Sequence, residues 1–226
     1  MNDDSFKIDL DNFKIKEEIH QYFDHKFYCI VYKKTSLQYT AKILNKNICN
    51  YPKDKITDFY NQLDIISRLN HPSIIKNYGY SLTDFKNNPR PVLITEYSQN
   101  KSFYDIIFAN RFESEEWESI KYIIGYGIAS AMSYLHSHDI IHCDLNAKTV
   151  QLDDSFYPKI TGFDFAQKLN EQSDKKSTNK FRKINESLQY LAPEVITRKE
   201  YSKSSDVFSF GILLYEVLDK FQIEEI

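Results

Sequence analysis

Ile140-Ile141-His142-Cys143-Asp144-Leu145-Asn146-Ala147-Lys148-Thr149-Val150-Gln151-Leu152, continued by Lys159-Ile160-Thr161-Gly162-Phe163-Asp164-Phe165-Ala166, is the stretch on which the reading of this chain turns. Its short apolar runs around Val150–Leu152 and Lys159–Ile160 read as strands, joined by the turn Asp153-Asp154-Ser155-Phe156-Tyr157. Just upstream, from Glu115 to His136, the period is helical. Trp117, Ile120, Ile124, Ile128, Met132 and Leu135 form one buried stripe. Downstream, residues 170–186 are polar and carry Lys175, Lys176, Lys180, Arg182 and Lys183. That run reads as a solvated loop, with a docking patch as the alternative. A final apolar helix is expected over about Ser205–Leu218.

The first third has a different texture. Residues 13–44 read as short strands, clearest at Tyr28–Tyr32 and Gln38–Leu44, which are rich in aromatic and β-branched residues. Between 54 and 70, Phe59, Leu63, Ile66 and Leu69 fall on one helical face, and Asn70-His71-Pro72 ends that helix. Two more strand-like runs follow, Ile74–Tyr80 and Val92–Tyr97, separated by the loop Thr83–Pro91. A strand-rich first third therefore meets a helix-rich remainder near Ser98–Ser102, with no internal repeat.

Composition narrows the class. The 226 residues suffice for one large domain or a two-lobed unit with a sizeable core. A net charge of -3 provides no field for nucleic acid or an anionic membrane. No apolar run approaches the roughly 20 residues that span a bilayer, and the polar segment Met1–Ser5 is no signal peptide. Three cysteines, Cys29, Cys49 and Cys143, lack metal-type spacing, and their odd number points to reduced thiols and a cytoplasmic setting. Only five glycines are present, where average usage of about 7% would give roughly 16.

Several motifs in order now carry a resemblance. Lys42 closes a strand, His71-Pro-Ser-Ile-Ile75 makes a turn after a helix, and Ile94-Thr95-Glu96-Tyr97 ends another strand. Tyr134-Leu-His136 leads into Ile141-His142-Cys143-Asp144-Leu145, and Tyr190-Leu-Ala-Pro-Glu194 precedes Ser205-Asp206-Val-Phe-Ser-Phe-Gly211. Over about residues 13–218 the chain resembles a eukaryotic protein kinase domain of the tyrosine-kinase-like or serine/threonine type. The resemblance implies an α+β, two-lobed fold. Residues 1–12 are then an N-terminal extension, 13–97 a β-rich N-lobe, and 98–226 a mainly helical C-lobe cut short after its helix F. Lys42 is expected to bind the nucleotide phosphates, Thr95 to be the gatekeeper, Glu96 and Tyr97 the hinge, and Asp144 the catalytic aspartate. A structural role for Asp144, tying down its own loop, is the alternative.

The same resemblance exposes departures. Phosphoryl transfer is mostly positioning and charge neutralisation, with metal ions held by oxygen side chains. The helix position that should hold a carboxylate for Lys42 carries Gln62, which cannot form the charge-assisted pair. The two metal-ligand positions carry Thr149 and Gly162. Asp164 remains as a displaced metal candidate, if the preceding turn is longer than usual. The three glycine positions of the phosphate loop hold Asp24, Lys26 and Cys29, whose side chains block close backbone approach. Thr40 adds bulk over the adenine position, and Gln151, or Leu152 in a register shifted by one, lies under it. Cys143 replaces the arginine that would pair with a phosphate on Ser173, Ser177 or Thr178, and Ser187 is a further hydroxyl in that segment. His142 and Phe163 match two members of the internal stack, Asn77 weakens a third, and Asp206 matches the anchor of the catalytic loop.

ATP and Mg²⁺ are the cofactors the family implies, and these departures argue against both. The first expectation is a pseudokinase, a scaffold or regulator whose protein partners would cover the shortened C-lobe. A weak kinase using Lys42, Asp144 and Asp164 is the second, and a non-functional fragment the third.

Overall fold

The computed structural model describes residues 6–21, 25–51, 53–98, 102–108, 114–169, 175–177 and 188–219. Asp24, Ser173, Thr178, Ser187 and the basic residues 180–183 lie outside them, and for 175–177 only the backbone is described. The chain divides into two compact units, 1–69 with 75–98, and 70–74 with 99–226. The turn at 70–74 thus belongs with the later part of the chain rather than with the strands that flank it.

In the first unit, β1 (Phe13–Gln21), β2 (His25–Tyr32) and β3 (Gln38–Leu44) lead to helix α1 (Lys53–Arg68), followed by β4 (Asn77–Ser81) and β5 (Val92–Glu96). They form one antiparallel sheet in the order β1-β2-β3-β5-β4. Side chains alternate across a pleated sheet. Ile30, Ala41, Ile43, Val92 and Ile94 therefore share one face, where Leu10 and Phe13 pack against them. The amphipathic pattern of α1 is realised by Phe59, Leu63, Ile65 and Ile66, all buried, whereas Leu69 lies past the helix end.

Leu10 reaches that core because the N-terminal segment is docked. Ile8 donates its N–H to the Tyr80 carbonyl at 2.8 Å, and Lys7 bridges Tyr80 in parallel. Gly79 makes this possible. With φ at 147°, a Cβ there would lie 2.3 Å from the Phe6 carbonyl oxygen and 2.6 Å from the Ile8 side chain. Residues 6–12, part of the segment 1–12 expected as an N-terminal extension, are thus held to β4.

In the second unit, α2 (Phe103–Phe108) and the long α3 (Ser114–Ser137) precede β6 (Ile140–Ile141), β7 (Val150–Leu152), β8 (Pro158–Ile160) and β9 (Gln167–Lys168). A short β10 (Lys175–Ser177), α4 (Pro193–Arg198), β11 (Glu200–Ser202) and α5 (Lys203–Asp219) complete it. Trp117, Ile124, Ile128, Ala131, Met132 and Leu135 of α3 are buried; Ile120, at the edge of the stripe, is only half-buried. Glu115 and Glu116 in its first turn and His136 in its last suit the helix dipole. The three small pairings, β6 with β9, β7 with β8 and β10 with β11, are all antiparallel.

β4 begins at Asn77, later than the apolar run from Ile74 suggests. Ser73 and Ile74 are held elsewhere: Ile160 donates its N–H to the Ser73 carbonyl at 2.8 Å, and Ile74 bridges Ile160. His71 anchors this turn, accepting the Ser73 N–H at Nδ1 (3.1 Å) and meeting Ser130 Oγ at 3.2 Å through Nε2.

Candidate functional site

In the first unit, Lys42 and Thr95 lie on the sheet face opposite the core cluster, whereas Glu96, paired with Tyr39, falls on the core face. Cys29, Thr40 and Thr95 stand in one cross-strand row, and Phe27, Lys42 and Leu93 in another on the same face. Each is set by the register of β2, β3 and β5, so one pattern of alternation places Lys42 and Thr95 together on that face. Glu96 ties its neighbour strand: its N–H donates to the Lys76 carbonyl and its carboxylate accepts the Lys76 N–H, both at 2.9 Å. Tyr97 hydrogen-bonds the Cys29 side chain, and burial pushes both groups above their ordinary pKa values. Gln62 is buried beside Leu63 on α1.

The hairpin of β1 and β2 is held by its side chains. Lys26 Nζ meets Glu18 Oε2 at 3.1 Å. The Tyr28 hydroxyl, and after it Lys26, hold the Glu18 carboxyl below its ordinary value. The Cys29 thiol, fully buried, donates to Gln38 Oε1 at 3.3 Å. Two of the three glycine positions therefore carry side chains engaged across the strands, while the third, Asp24, lies outside the described residues.

In the second unit, the loop between β6 and β7 is built around Asp206 at the start of α5. Its carboxylate accepts the N–H of His142 at 2.7 Å and of Cys143 at 2.9 Å, and lies 3.1 Å from His136 Nε2. Two backbone donors converging on one carboxylate hold Cys143 at φ 64°, a left-handed conformation that costs a non-glycine residue energy. The Cys143 thiol lies in an apolar cluster with Ile141, Leu169, Ala192, Val195 and Tyr201. His142 Nδ1 accepts the Asp144 N–H at 3.2 Å, so its proton sits on Nε2, which donates to the Thr161 carbonyl at 2.9 Å. Its ring meets Phe163 edge-on, with centroids 4.9 Å apart. Phe163, rather than Phe165, is thus the phenylalanine paired with the loop histidine.

Asp144 is half-buried at the loop's apex. Asn146 Nδ2 donates to both its carbonyl and its Oδ1, each at 2.8 Å. Asn146 also opens the turn Ala147–Thr149 in a reciprocal cap with Thr149. The Thr149 hydroxyl accepts the Asn146 N–H at 3.0 Å and faces the carbonyls of Asp144 (2.9 Å) and Asn146 (3.0 Å). Its methyl group points at Gly162. Gly162 is left-handed, φ 80° and ψ 36°, and opens the short turn Phe163–Phe165 that contains Asp164. Gln151 is half-exposed and Leu152 fully buried, so Gln151 is the β7 residue on the open face.

Sequence reading missed two contributors. Asn146, two residues past Asp144, grips that aspartate. Ala147 has an N–H that donates to the Tyr190 hydroxyl at 3.4 Å. That hydroxyl donates in turn to the fully buried Glu216 at 2.5 Å; burial, then Glu216, push the Tyr190 phenol far up.

The chain is similar in sequence to known proteins. The family model for protein tyrosine and serine/threonine kinases matches residues 23–224. Cysteine-rich receptor-like protein kinase 2 of Arabidopsis thaliana is 33% identical over 170 residues, covering 74% of this chain and 25% of that protein. Cysteine-rich receptor-like protein kinase 41 of the same plant is 32% identical over 187 residues, 80% of this chain and 27% of the relative. The Aurora kinase of Saccharomyces cerevisiae is 27% identical over 212 residues, 93% of this chain and 54% of the relative. The chain thus spans between about a quarter and about half the length of these relatives. With its β-sheet unit, its helical unit and its histidine-aspartate loop anchored from α5, the chain belongs to the protein tyrosine and serine/threonine kinase family.

Proposed function

We propose that this domain is a pseudokinase, a scaffold or regulator that uses the kinase fold without transferring phosphate. One observation carries the reading: the two positions that hold the metal in the family are Thr149, its hydroxyl taken up by its own loop, and Gly162, which has no side chain. Magnesium demands near-octahedral oxygen ligation. The residues at this place, a threonine whose hydroxyl is engaged and a glycine, do not fit the ion.

Other features point the same way. Phe163 packs on His142, which favours Gly162 over Asp164 as the residue in the metal position. Asn146 satisfies one Asp144 oxygen from within the loop, as the structural role of that aspartate requires. Gln62 stands on α1 where the family has a carboxylate, and a buried Cys143 replaces a cation. For a partner-binding role, Tyr122, Ile123 and Tyr126 on α3, and Val207, Tyr215 and Leu218 on α5, are large apolar residues exposed at the surface. Aromatic residues of this kind are enriched at protein interfaces.

The test is a labelled-ATP transfer assay on a mixed peptide library with Mg²⁺ or Mn²⁺, comparing the wild type with Asp144→Asn. The expected result is background signal in both. Turnover in the wild type that Asp144→Asn removes would establish a working kinase instead.

A further inference from the structure

We infer that Thr149 and Gly162 are a coupled packing pair: the threonine methyl fills the volume of the missing metal-binding side chain. The chain therefore excludes a divalent ion there and cannot regain the site by substitution at 162 alone. The inference rests on the reading of these two as the family's metal positions and deepens it, from a ligand that is absent to a space that is occupied.

The geometry is specific. A Cβ built on Gly162 would lie 2.6 Å from Thr149 Cγ2 and 3.1 Å from Thr149 Cβ. The first distance is far inside van der Waals contact, and the obstructing atom is on a short β-branched side chain whose χ1 has little freedom. Thr149 cannot rotate away without loss. Its hydroxyl accepts the Asn146 N–H at 3.0 Å and has carbonyl acceptors at 2.9 and 3.0 Å. Turning the methyl from Gly162 would break the reciprocal cap. The backbone cannot yield easily either. Thr149 N–H donates to the Asn146 carbonyl at 3.0 Å, and the Thr149 carbonyl accepts the Thr161 N–H at 2.8 Å, one residue before Gly162. The φ of 80° adds a second, independent cost for a residue with a Cβ, smallest for Asn or Asp. The hydroxyl oxygen that a metal would need is aimed into the loop, and the face turned towards position 162 is a methyl group.

A double-substitution cycle with thermal unfolding tests the coupling. Thr149→Ser removes the methyl and keeps the hydroxyl, so it should leave the melting temperature nearly unchanged. Gly162→Ala should lower it by several degrees. In the double variant part of that loss should return, leaving only the cost of the positive φ. Additive effects would overturn the pair, and so would a double variant as unfolded as Gly162→Ala. If Gly162→Ala fails to fold while the double variant folds, the coupling stands. In the wild type, Mn²⁺ with and without ATP should leave the NMR lines of the Thr149 and Gly162 amides sharp, and selective broadening at substoichiometric Mn²⁺ would overturn the exclusion. The cycle reads packing alone. An additive cycle sinks the pair without touching the transfer assay, and turnover beside a coupled cycle sinks the pseudokinase reading alone.

Discussion

Cys143 illustrates what a single position decides. Its thiol lies among apolar side chains, and its backbone is bent to φ 64° by the Asp206 carboxylate. Restoring the family's arginine would push a cation into that cluster, where an unpaired charge costs on the order of 3 kcal/mol or more. Cys143→Arg is therefore expected to lower the urea midpoint sharply, and Cys143→Ser much less, in equilibrium unfolding. The replacement of arginine by cysteine was legible in the sequence. The apolar surroundings that keep it replaced were not, because Leu169, Ala192, Val195 and Tyr201 come from distant parts of the chain. The same holds for Thr149 and Gly162. Each reads alone as a lost ligand, and only the fold brings the methyl of one into the space a Cβ of the other would take.

Among elements, those with strong periodicity are legible in the sequence: β3, β5 and α3 nearly to the residue, and β2 in its second half, since it begins at His25, ahead of the run Tyr28–Tyr32 that marks it. The turn at His71–Ile74 was read partly as strand because its apolar residues serve β8 rather than β4. The docked segment Phe6–Asn12 went unseen, since its hold on β4 depends on Gly79 lacking a Cβ. Gly79→Ala must push against a backbone oxygen and adopt an unfavourable φ, so it should cost more than about 1 kcal/mol. Chemical denaturation measures this, with faster proteolysis near the N-terminus as a companion sign.

The anchor from α5 offers a second test at this scale. Asp206→Ala leaves the buried N–H groups of His142 and Cys143 without their acceptor, a loss on the order of 3 kcal/mol, readable as a drop in unfolding free energy. In the loop between β4 and β5, burial alone would raise the Asp84 pKa. The Asn88 side chain and the N–H groups of Lys86 and Asn88 outweigh it and hold the carboxyl below its ordinary value. A depressed folded pKa gives stability that is present above the unfolded value of about 3.9 and lost as pH falls through the folded value. Asp84→Ala should therefore be less stable at neutral pH, and its melting temperature should fall less steeply than the wild type's below pH 4.

At the scale of the whole molecule, the family's architecture is kept while its charges are thinned out. The β-sheet unit retains Lys42 and the strand register that presents it. The helical unit retains the Asp206 anchor and the packing of His142 on Phe163. On the reading proposed above, Thr149 and Gly162 are the family's metal positions, and a threonine methyl and an apolar cluster take the places of a ligand and a cation. The measurement that bears most directly on this is thermal unfolding of the purified protein, with and without millimolar ATP, each with and without Mg²⁺. A ligand at 100 times its dissociation constant stabilises by about 2.7 kcal/mol, a shift well within reach of the method. The account predicts one cooperative transition whose midpoint Mg²⁺ does not move, whether or not ATP is present. A midpoint that rises with ATP only when Mg²⁺ is added would contradict it.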